Sequence, residues 1–556
     1  MQGAGLPAGG YFGVRKRVTN GFKGIKRMVK RGACIVMENS AKKKSTLYEA
    51  AWDMEYTRAD GALAVSLLAV GFLFWELVSL FRPGAGTVIF TGIVCSVSVI
   101  YLNHKGYRQN KRSLIGLVVI VLSSAVLLIF DGYLEKQLNL LFIMAAFVQW
   151  IALTTGSTIE NRLSGYSLID LLYQSFARGL GNLPCLPSIL AKHIKQKKAG
   201  KGTAAALLGI LIMIPILCAV IMLLVRADPA FDHWMGSIKK AVSDEFLIYV
   251  WYFVLGIPVA CYLCGLIRGS VEKHPSAMEK NKVDRAFERI RIAPAAAVCS
   301  SLAALNLVYA IFFLAQTSYL FSAFRQILPE HMTYAEYARH GFFELCAVTA
   351  INLAVIFAAK LLSQEGRGKL LRIEVILLSV FTLALTVIDL SKMVLYIQSY
   401  GLTRLRIYTS IFMVFLFIVF LIILLRQVRP FQAGRAVILA ALICFFGLCY
   451  GNVDGQIAKY NMGQYLAGNL ELMDRASMEA LSDGAVPYFF KAYREASDEE
   501  DAQLLYAVIT GDSAGSMAQV PEKEDIKTFN LQQYRAQKIR KEIKPPAGTG
   551  GRQLLF

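Results

Sequence analysis

Charged residues are scarce in this chain of 556 residues, where they make up 18% of all positions. A soluble chain of this length would carry about 25% charged residues and would divide into several domains. Acids are scarcer still, with 39 Asp and Glu against 59 Lys and Arg. No zinc-finger or RNP signature accompanies the excess of basic residues, which argues against a nucleic-acid partner. Basic residues beside apolar segments are instead typical of the cytoplasmic loops of membrane proteins.

The signatures of soluble enzymes are missing as well. The patterns H-E-x-x-H and G-x-S-x-G and the protein-kinase set do not occur. The ten cysteines all precede residue 452, so the C-terminal region has no disulfide framework. Cys261 and Cys264 form a C-x-x-C pair inside an apolar run, which we interpret as small buried side chains rather than a metal site. The sequence therefore indicates no metal and no cofactor, and it does not favour an enzyme.

Apolar runs of about 20 residues are what the chain has in abundance, since 56% of its residues are hydrophobic. A run of that length crosses the roughly 30 Å of hydrocarbon in a bilayer as a helix. The sequence therefore predicts an all-α, polytopic membrane protein embedded in a lipid bilayer. We expect about eleven spans, at 61–81, 86–103, 114–130, 138–156, 204–225, 246–267, 293–315, 341–362, 373–396, 405–425 and 436–451.

The distribution of basic residues predicts the orientation of these spans. One alternating set of loops carries 24 Lys and Arg and the other set carries 8. Because basic residues are retained in the cytoplasm, the first set and the N-terminus are predicted to be cytoplasmic. Eleven spans then place the C-terminal tail outside the cell, and we expect the bacterial cytoplasmic membrane.

The chain divides into four predicted regions. Residues 1–60 form a basic cytoplasmic segment, within which Met37 is a candidate native start, and residues 61–451 form the helical bundle. An amphipathic helix near 166–180 is predicted to lie on the inner membrane surface. Residues 452–510 form a small helical tail with exposed aromatics, among them Tyr488, Phe489, Phe490 and Tyr493. Residues 511–556 are predicted to be flexible, with one candidate helix.

Five charged side chains of three consecutive spans fall at a similar depth. Asp389 and Lys392 lie three residues apart inside an apolar run, and charged groups in hydrocarbon are usually paired or face water. Glu344, Arg404 and Arg406 are predicted to lie on the same side of the membrane. The cluster is open to three interpretations: a structural ion-pair network, a hydrated cavity for an ion or solute, and an outward-facing catalytic centre.

The stretch YAEYARHGFFEL, at 334–345, raises a separate question. Glu336, His340 and Glu344 recur every four residues and share a helix face, which suits three metal ligands. Acids are also favoured near the start of a helix, and an interfacial helix has a polar first turn. We favour a polar helix start over a metal site.

Several stretches resemble a known family. They are YLFSAFRQILPEHMTYAEYARHGFFELCAVTAINLAV, LTRLRIYTSIFMV, IAKYNMGQYL, LSDGAVPYF and KTFNLQQYRA. The chain resembles, over roughly 160–545, a family of bacterial polytopic membrane proteins known only as a domain of unknown function, the 4153/4173-type group. The resemblance implies an extracytoplasmic tail and brings no activity. Its signature positions here are Tyr334, Glu336, Tyr337, Arg339, Glu344, Arg404, Arg406, Tyr460, Asn461 and Asp483.

Two main functional hypotheses follow. The first is permease- or channel-like handling of a small solute or ion through an outward-facing cavity lined by the charged cluster. The second is a non-catalytic membrane scaffold or sensor, whose tail binds an extracytoplasmic protein partner. A membrane transferase acting on lipid-linked substrates is a more distant alternative.

Overall fold

The computed structural model describes residues 56–196, 244–272, 279–315, 342–364, 368–470, 475–496, 498–511 and 525–546, and the isolated positions 213, 217, 220 and 224. Over these residues the regular structure is helical and no strand forms, although one bridge pairs Ala293 with Ser363. The predicted all-α fold is confirmed.

Ten helices in the described ranges are long and apolar enough to cross a bilayer. The first part of the chain forms α1 (Arg58–Leu77), α2 (Ala85–His104), α3 (Lys111–Ile129), α4 (Tyr133–Thr155), the short α5 (Ser167–Leu172), a π-helical segment (Tyr173–Leu180), the short α6 (Cys185–Gln196) and α7 (Asp244–Val271). The second part forms the short α8 (Lys280–Ile290), α9 (Ala295–Ala315), α10 (Phe342–Leu362), α11 (Lys369–Tyr400), α12 (Arg404–Val428) and α13 (Ala433–Tyr450). The ten are α1–α4, α7 and α9–α13.

Each of these ten helices overlaps a predicted span. The remaining prediction, 204–225, lies outside the described residues except at positions 213, 217, 220 and 224. Those four positions are helical and carry exposed apolar side chains.

Loop contacts sort the ends of the spans into two groups. At one end, which we call the tail end, residues from 452 onward contact the turns at 78–86, 130–132 and 401–403. At the other, which we call the loop end, the segment 157–166 contacts 279–291 and Arg112. Successive described spans therefore alternate in direction except for α4 and α7, which both run from the tail end to the loop end. The span predicted at 204–225 lies between those two helices in the sequence.

The N-terminal bundle consists of α1–α4, α6 and α7, which share one core containing Leu67, Leu102 and Trp150. Helices α1 and α7 approach so closely that their backbones touch. A Cβ atom added to Gly71 would lie 2.2 Å from the carbonyl oxygen of Gly256. Small residues allow such contact between membrane helices, where close van der Waals packing replaces the hydrophobic effect.

The C-terminal bundle consists of α9–α12 and packs around Leu302, Val375, Leu378 and Phe420. Helix α13 joins it to the N-terminal bundle. The ring of Phe142, on α4, lies 4.7 Å from the ring of Phe445, on α13, measured between centroids.

The segment from α5 through the π-helical turn is amphipathic, but its polar side is not in water. Asp170, Gln174 and Arg178 are at most 4% exposed, whereas the apolar residues Leu168, Leu172, Phe176 and Leu180 are exposed. The Gln174 side chain donates to the carbonyl of Ser157, and Arg178 donates to that of Gly269. The polar face therefore packs on the ends of α4 and α7, because their carbonyls supply the partners that buried donors require.

The tail is a small helical domain with its own core. It comprises α14 (Val453–Leu466), α15 (Arg475–Glu479), α16 (Val486–Glu495), α17 (Glu499–Thr510) and α18 (Leu531–Glu542). The expectation of exposed aromatics is wrong here. Phe489 is 2% exposed at the centre of the core, and Tyr488, Phe490 and Tyr493 pack against it.

The end of the chain is more structured than the sequence suggests. Residues 525–530, which we call the strap, cross the tail end of the N-terminal bundle and lead into α18. The amides of Ala85 and Gly86 donate to the carbonyls of Phe529 and Ile526, over 2.9 and 2.8 Å. Helix α18 lies where the candidate helix of this region was predicted. The segment before it is held in place because backbone groups at the start of α2 pair with the strap.

Candidate functional site

A row of polar side chains follows one face of α11. We call this row the polar file: Ser379, Thr382, Thr386, Asp389 and Lys392, none of them more than 3% exposed. Their spacing of three or four residues places them on one side of the helix. The three hydroxyls each donate to the carbonyl four residues earlier. The file therefore faces the interior of the C-terminal bundle.

Neighbouring helices extend the polar file across the bundle. Asn352, on α10, donates through Nδ2 to Thr382 Oγ1 over 2.9 Å. The hydroxyl of Tyr309, on α9, donates to Asn352 Oδ1 over 2.7 Å. Three helices thus contribute to one chain of hydrogen bonds at mid-membrane, which is a common use of buried amides and hydroxyls in membrane helices.

A carboxylate lies at the loop end of the same helix. Glu374 Oε2 accepts from Asn306 Nδ2, on α9, over 2.7 Å. Glu374 and Lys392 are 18 positions apart, or about 27 Å at 1.5 Å per residue. Because hydrocarbon is about 30 Å thick, polar groups on this helix cover most of that depth.

Asp389 is the exceptional member of the polar file. It is fully buried, and neither carboxylate oxygen has a hydrogen-bond partner in the described part of the chain. Lys392 and Glu344 lie close enough for their charges to act on it, and Glu344 is exposed at the start of α10. An ionised carboxylate without hydrogen bonds is expensive to bury, so Asp389 has free capacity for a proton or a cation.

The structure divides the five residues of the predicted charged cluster. Arg404 does not join Asp389, because Nε and Nη2 donate to the two carboxylate oxygens of Asp454, each over 2.6 Å. Arg406 donates to the carbonyls of Tyr400 and Gly401. Both arginines lie in the first turn of α12, where they face the loop before it and the tail. Only Glu344, Asp389 and Lys392 remain together.

The ion pair of Arg404 belongs to a second buried network at the tail end. Asp454 is 4% exposed and also accepts from the amide of Ser482 over 2.9 Å. The hydroxyl of Tyr408, on α12, donates to the buried carboxylate of Glu135, on α4, over 2.9 Å. This network ties the tail to both bundles.

Two further family-signature positions order the tail, Asn461 against the turn before α12 and Asp483 within the tail itself. Asn461 bonds to both the amide and the carbonyl of Leu402, over 2.6 and 2.9 Å. Asp483 accepts from Arg540 over 2.6 Å, and burial raises the pKa of its carboxyl although Arg540 opposes that shift. Tyr460 is half-buried on α14. The predicted positions Tyr334, Glu336, Tyr337, Arg339 and His340 lie outside the described residues.

Sequence reasoning missed the hydroxyl members of the polar file and the carboxylates of the tail-end network. The file was visible in principle, because Ser379, Thr382 and Thr386 continue the spacing of Asp389 along one helix face. Asp454 sits in the first turn after the last span, where acids are common and carry no further signal. Its partner Arg404 is 50 positions away.

Metal ligation finds no geometric support where the structure can be described. No group of three His, Cys, Asp or Glu side chains is close enough there to hold a metal ion. Of the three predicted metal ligands Glu336, His340 and Glu344, only Glu344 lies within the described residues. Cys261 and Cys264 are free thiols.

Comparison with known proteins places these features in one family. The model of the family described as Domain of unknown function (DUF4153) matches residues 116–492, from within α3 to within α16. The match includes the polar file and the pair of Arg404 with Asp454. No curated protein and no solved structure matches the chain. The chain is a multi-pass membrane protein that belongs to the DUF4153 family.

Proposed function

We propose that this protein handles a small ion in the manner of a permease or channel, and that it moves a proton or a small cation along the polar file. The observation that carries the proposal is Asp389, whose two carboxylate oxygens are buried without a hydrogen-bond partner in the described residues. Ionisable groups at such depth typically mark ion and proton pathways. The hydroxyls of the file, and the amide of Asn352 bonded to it, supply further oxygen sites along the same path.

Lys392 has a defined role in this proposal. Its ammonium acts on Asp389 through their charges and supplies the counter-charge when no ion is bound. A proton or cation arriving at Asp389 replaces that counter-charge. Glu344, which is exposed at the tail end, attracts cations to the entrance.

The proposed orientation follows from the basic residues. The loops at the loop end carry most of the Lys and Arg, which favours a cytoplasmic location for that end. The tail and the entrance at Glu344 are then outside a bacterial cytoplasmic membrane.

Ion flux in reconstituted vesicles tests the proposal. Purified protein is placed in liposomes that contain a pH-sensitive dye or a Na⁺-sensitive dye, and a potential is imposed with K⁺ and valinomycin. We expect flux of one of these ions with the native protein, loss of the flux with Asp389→Asn, and partial retention with Asp389→Glu. Glu76→Gln, on α1, is the matched control because it removes a carboxylate from a spanning helix outside the file. Unchanged flux of that ion in a folded Asp389→Asn protein, or flux of neither ion with the native protein, would contradict the proposal.

The scaffold or sensor hypothesis has lost its motivating observation. It rested on exposed aromatics of the tail, and Phe489 is in the core of the tail while its neighbours pack against that core. A protein partner of the tail is therefore the weaker proposal.

A further inference from the structure

Two cavities meet at Arg406, on the tail end of the C-terminal bundle. The larger encloses about 590 Å³ between the tail and the turn before α12. The smaller encloses about 250 Å³ among α10, α11 and α12. Thr403 and Arg406 line both. The larger volume alone lies within the roughly 300–1,000 Å³ that is usual for ligand sites.

The two cavities differ in chemistry. The larger is lined by polar and apolar side chains in similar number, with Ser399, Asn461 and Asn469 among the polar ones and Met462 and Phe489 among the apolar ones. The smaller is lined chiefly by apolar and aromatic side chains, among them Phe342, Phe343, Met393, Tyr396 and Leu405. Together they form an amphipathic space with a cation at the junction.

Arg406 is suited to bind an anion at that junction. It donates to the two carbonyls of Tyr400 and Gly401, both through Nη1. Its guanidinium also lies 3.9 Å from the centroid of the Tyr396 ring. Within the described ranges no carboxylate pairs with it, so Nε and Nη2 are available to an anionic ligand. Arginine matches the geometry of phosphate through two parallel hydrogen bonds.

The position of the cavities relative to the bilayer suggests where the ligand comes from. Arg406 begins an apolar span, the ring of Tyr396 lies against its guanidinium, and the carbonyl of Tyr400 accepts from it; aromatic residues are enriched in this way at a membrane–water interface. Phe343 and Leu405 line the smaller cavity. They are 48% and 58% exposed, so they also face out of the bundle. The smaller cavity therefore lies beside the acyl chains of the membrane, and the larger lies at the level of the headgroups.

We propose that this double cavity binds one anionic phospholipid. The phosphate lies against Arg406, a polar headgroup occupies the larger cavity under the tail, and the start of an acyl chain enters the smaller one. The site is separate from the polar file and does not depend on the proposed ion movement. The recognised chemistry is a phosphate between a polar group and an aliphatic chain.

Lipid binding to the full chain tests the site. Protein freed of lipid in a neutral detergent is titrated with phosphatidylglycerol and followed by native mass spectrometry and by the midpoint of thermal unfolding. We expect one tightly bound lipid and a higher midpoint. Phosphatidylcholine, inorganic phosphate and glycerophosphoglycerol, which lacks acyl chains, should bind at least about ten-fold more weakly, because each lacks the net charge or the chain.

Two variants connect the binding to the two cavities. Arg406→Gln should weaken phosphatidylglycerol binding about ten-fold or more, whereas the matched control Arg494→Gln, an exposed arginine elsewhere on the tail, should leave it unchanged. Thr409→Phe fills the smaller cavity and keeps the guanidinium of Arg406, since the hydroxyl of Thr409 donates only to the backbone carbonyls of Leu405 and Arg406 in its own helix. Thr409→Phe should also weaken phosphatidylglycerol binding. This variant tests the site if Arg406→Gln does not fold.

Three results would overturn the proposal. Unchanged phosphatidylglycerol binding by a folded Arg406→Gln protein would remove the arginine from the site. Equal binding of phosphatidylcholine would show that charge is not recognised. Equal binding of glycerophosphoglycerol or phosphate would identify a soluble anion instead of a lipid.

Discussion

Arg404 and Asp454 are joined by two parallel hydrogen bonds of 2.6 Å each. One residue begins α12 and the other lies in the first turn of the tail, so the pair fixes the tail on the bundle. Asp454 is 4% exposed and Arg404 is 31% exposed. Paired geometry of this kind makes the contact directional as well as strong. The tail therefore belongs to the architecture of the membrane domain.

Removing one partner of this ion pair should be clearly destabilising. Arg404→Gln leaves the Asp454 carboxylate buried without its counter-charge, and we expect a loss of about 2–3 kcal/mol in the free energy of unfolding. Unfolding in mixed micelles measures it. Arg475→Gln is the control, because Arg475 is 55% exposed beside Glu479 and a surface pair contributes about 0.5 kcal/mol or less. Equal losses for the two variants would contradict a special role of the buried pair.

The contact between α1 and α7 should not tolerate a single methyl group. In Gly71→Ala the new Cβ would meet the carbonyl oxygen of Gly256 at 2.2 Å, so the helices must separate. We expect a loss of about 1–3 kcal/mol in the free energy of unfolding. Gly92→Ala, on α2, is the matched control because a Cβ there meets nothing within 4 Å. That variant should be neutral or slightly more stable, since alanine favours a helix.

Asn530 should anchor the strap. It is 1% exposed, its Oδ1 accepts from the amide of Gln533, and its Nδ2 donates to Asp131 over 2.8 Å. Asn530→Ala removes a helix cap and a link to the bundle, so we expect a loss of about 2 kcal/mol. Thermal unfolding and proteolysis of the C-terminus measure the effect. Asp498→Ala removes only the cap of α17 and should cost less stability than Asn530→Ala. A larger loss of stability for Asp498→Ala would contradict the prediction.

Asp170 should make stability depend on pH. Burial raises the pKa of its carboxyl from 3.8 to about 6, although the amide of Ile159 donates to it and opposes the shift, and nearby Glu160 adds to the rise. A raised acid pKa means that the folded state holds the proton more tightly, so the contribution to stability is present at low pH and lost as pH rises through about 6. Stability should therefore increase relative to Asp170→Asn when the pH falls from about 7 to about 4. A difference that is constant over this range would refute the shift.

Position 389 should be accessible to water from the tail end. Native cysteines are replaced, a single cysteine is placed at 389 or 344, and a membrane-impermeant thiol reagent is added from that side. We expect labelling at both positions, because a proton or cation must reach Asp389. Val414→Cys, on α12, is the lipid-facing control, since Val414 is 42% exposed on a spanning helix. Protection of 389 in a folded protein would indicate a sealed ion-pair network.

Local patterns and distant contacts differ in how far they can be read from a sequence. The ten described spans were predictable because burial in hydrocarbon requires about 20 apolar residues in a row. The strap was not predictable, because residues 525–530 pair through backbone groups with the start of α2, more than 400 positions earlier. The burial of Phe489 in the core of the tail was likewise not predictable, since a short helix with a modest apolar stripe can pack against several different partners.

The sequence by itself determined that this is an all-α membrane protein, the positions of its described spans, and the placement of Asp389 and Lys392 on one helix face. These properties depend on composition and on periodicity within single helices. Only the tertiary structure decided that Arg404 pairs with Asp454 instead of Asp389, and that the polar file faces the interior of the bundle and bonds to Asn352 on α10. Ion pairs and cavities are formed by side chains far apart in the chain, so their partners are chosen by packing geometry, which no local pattern encodes.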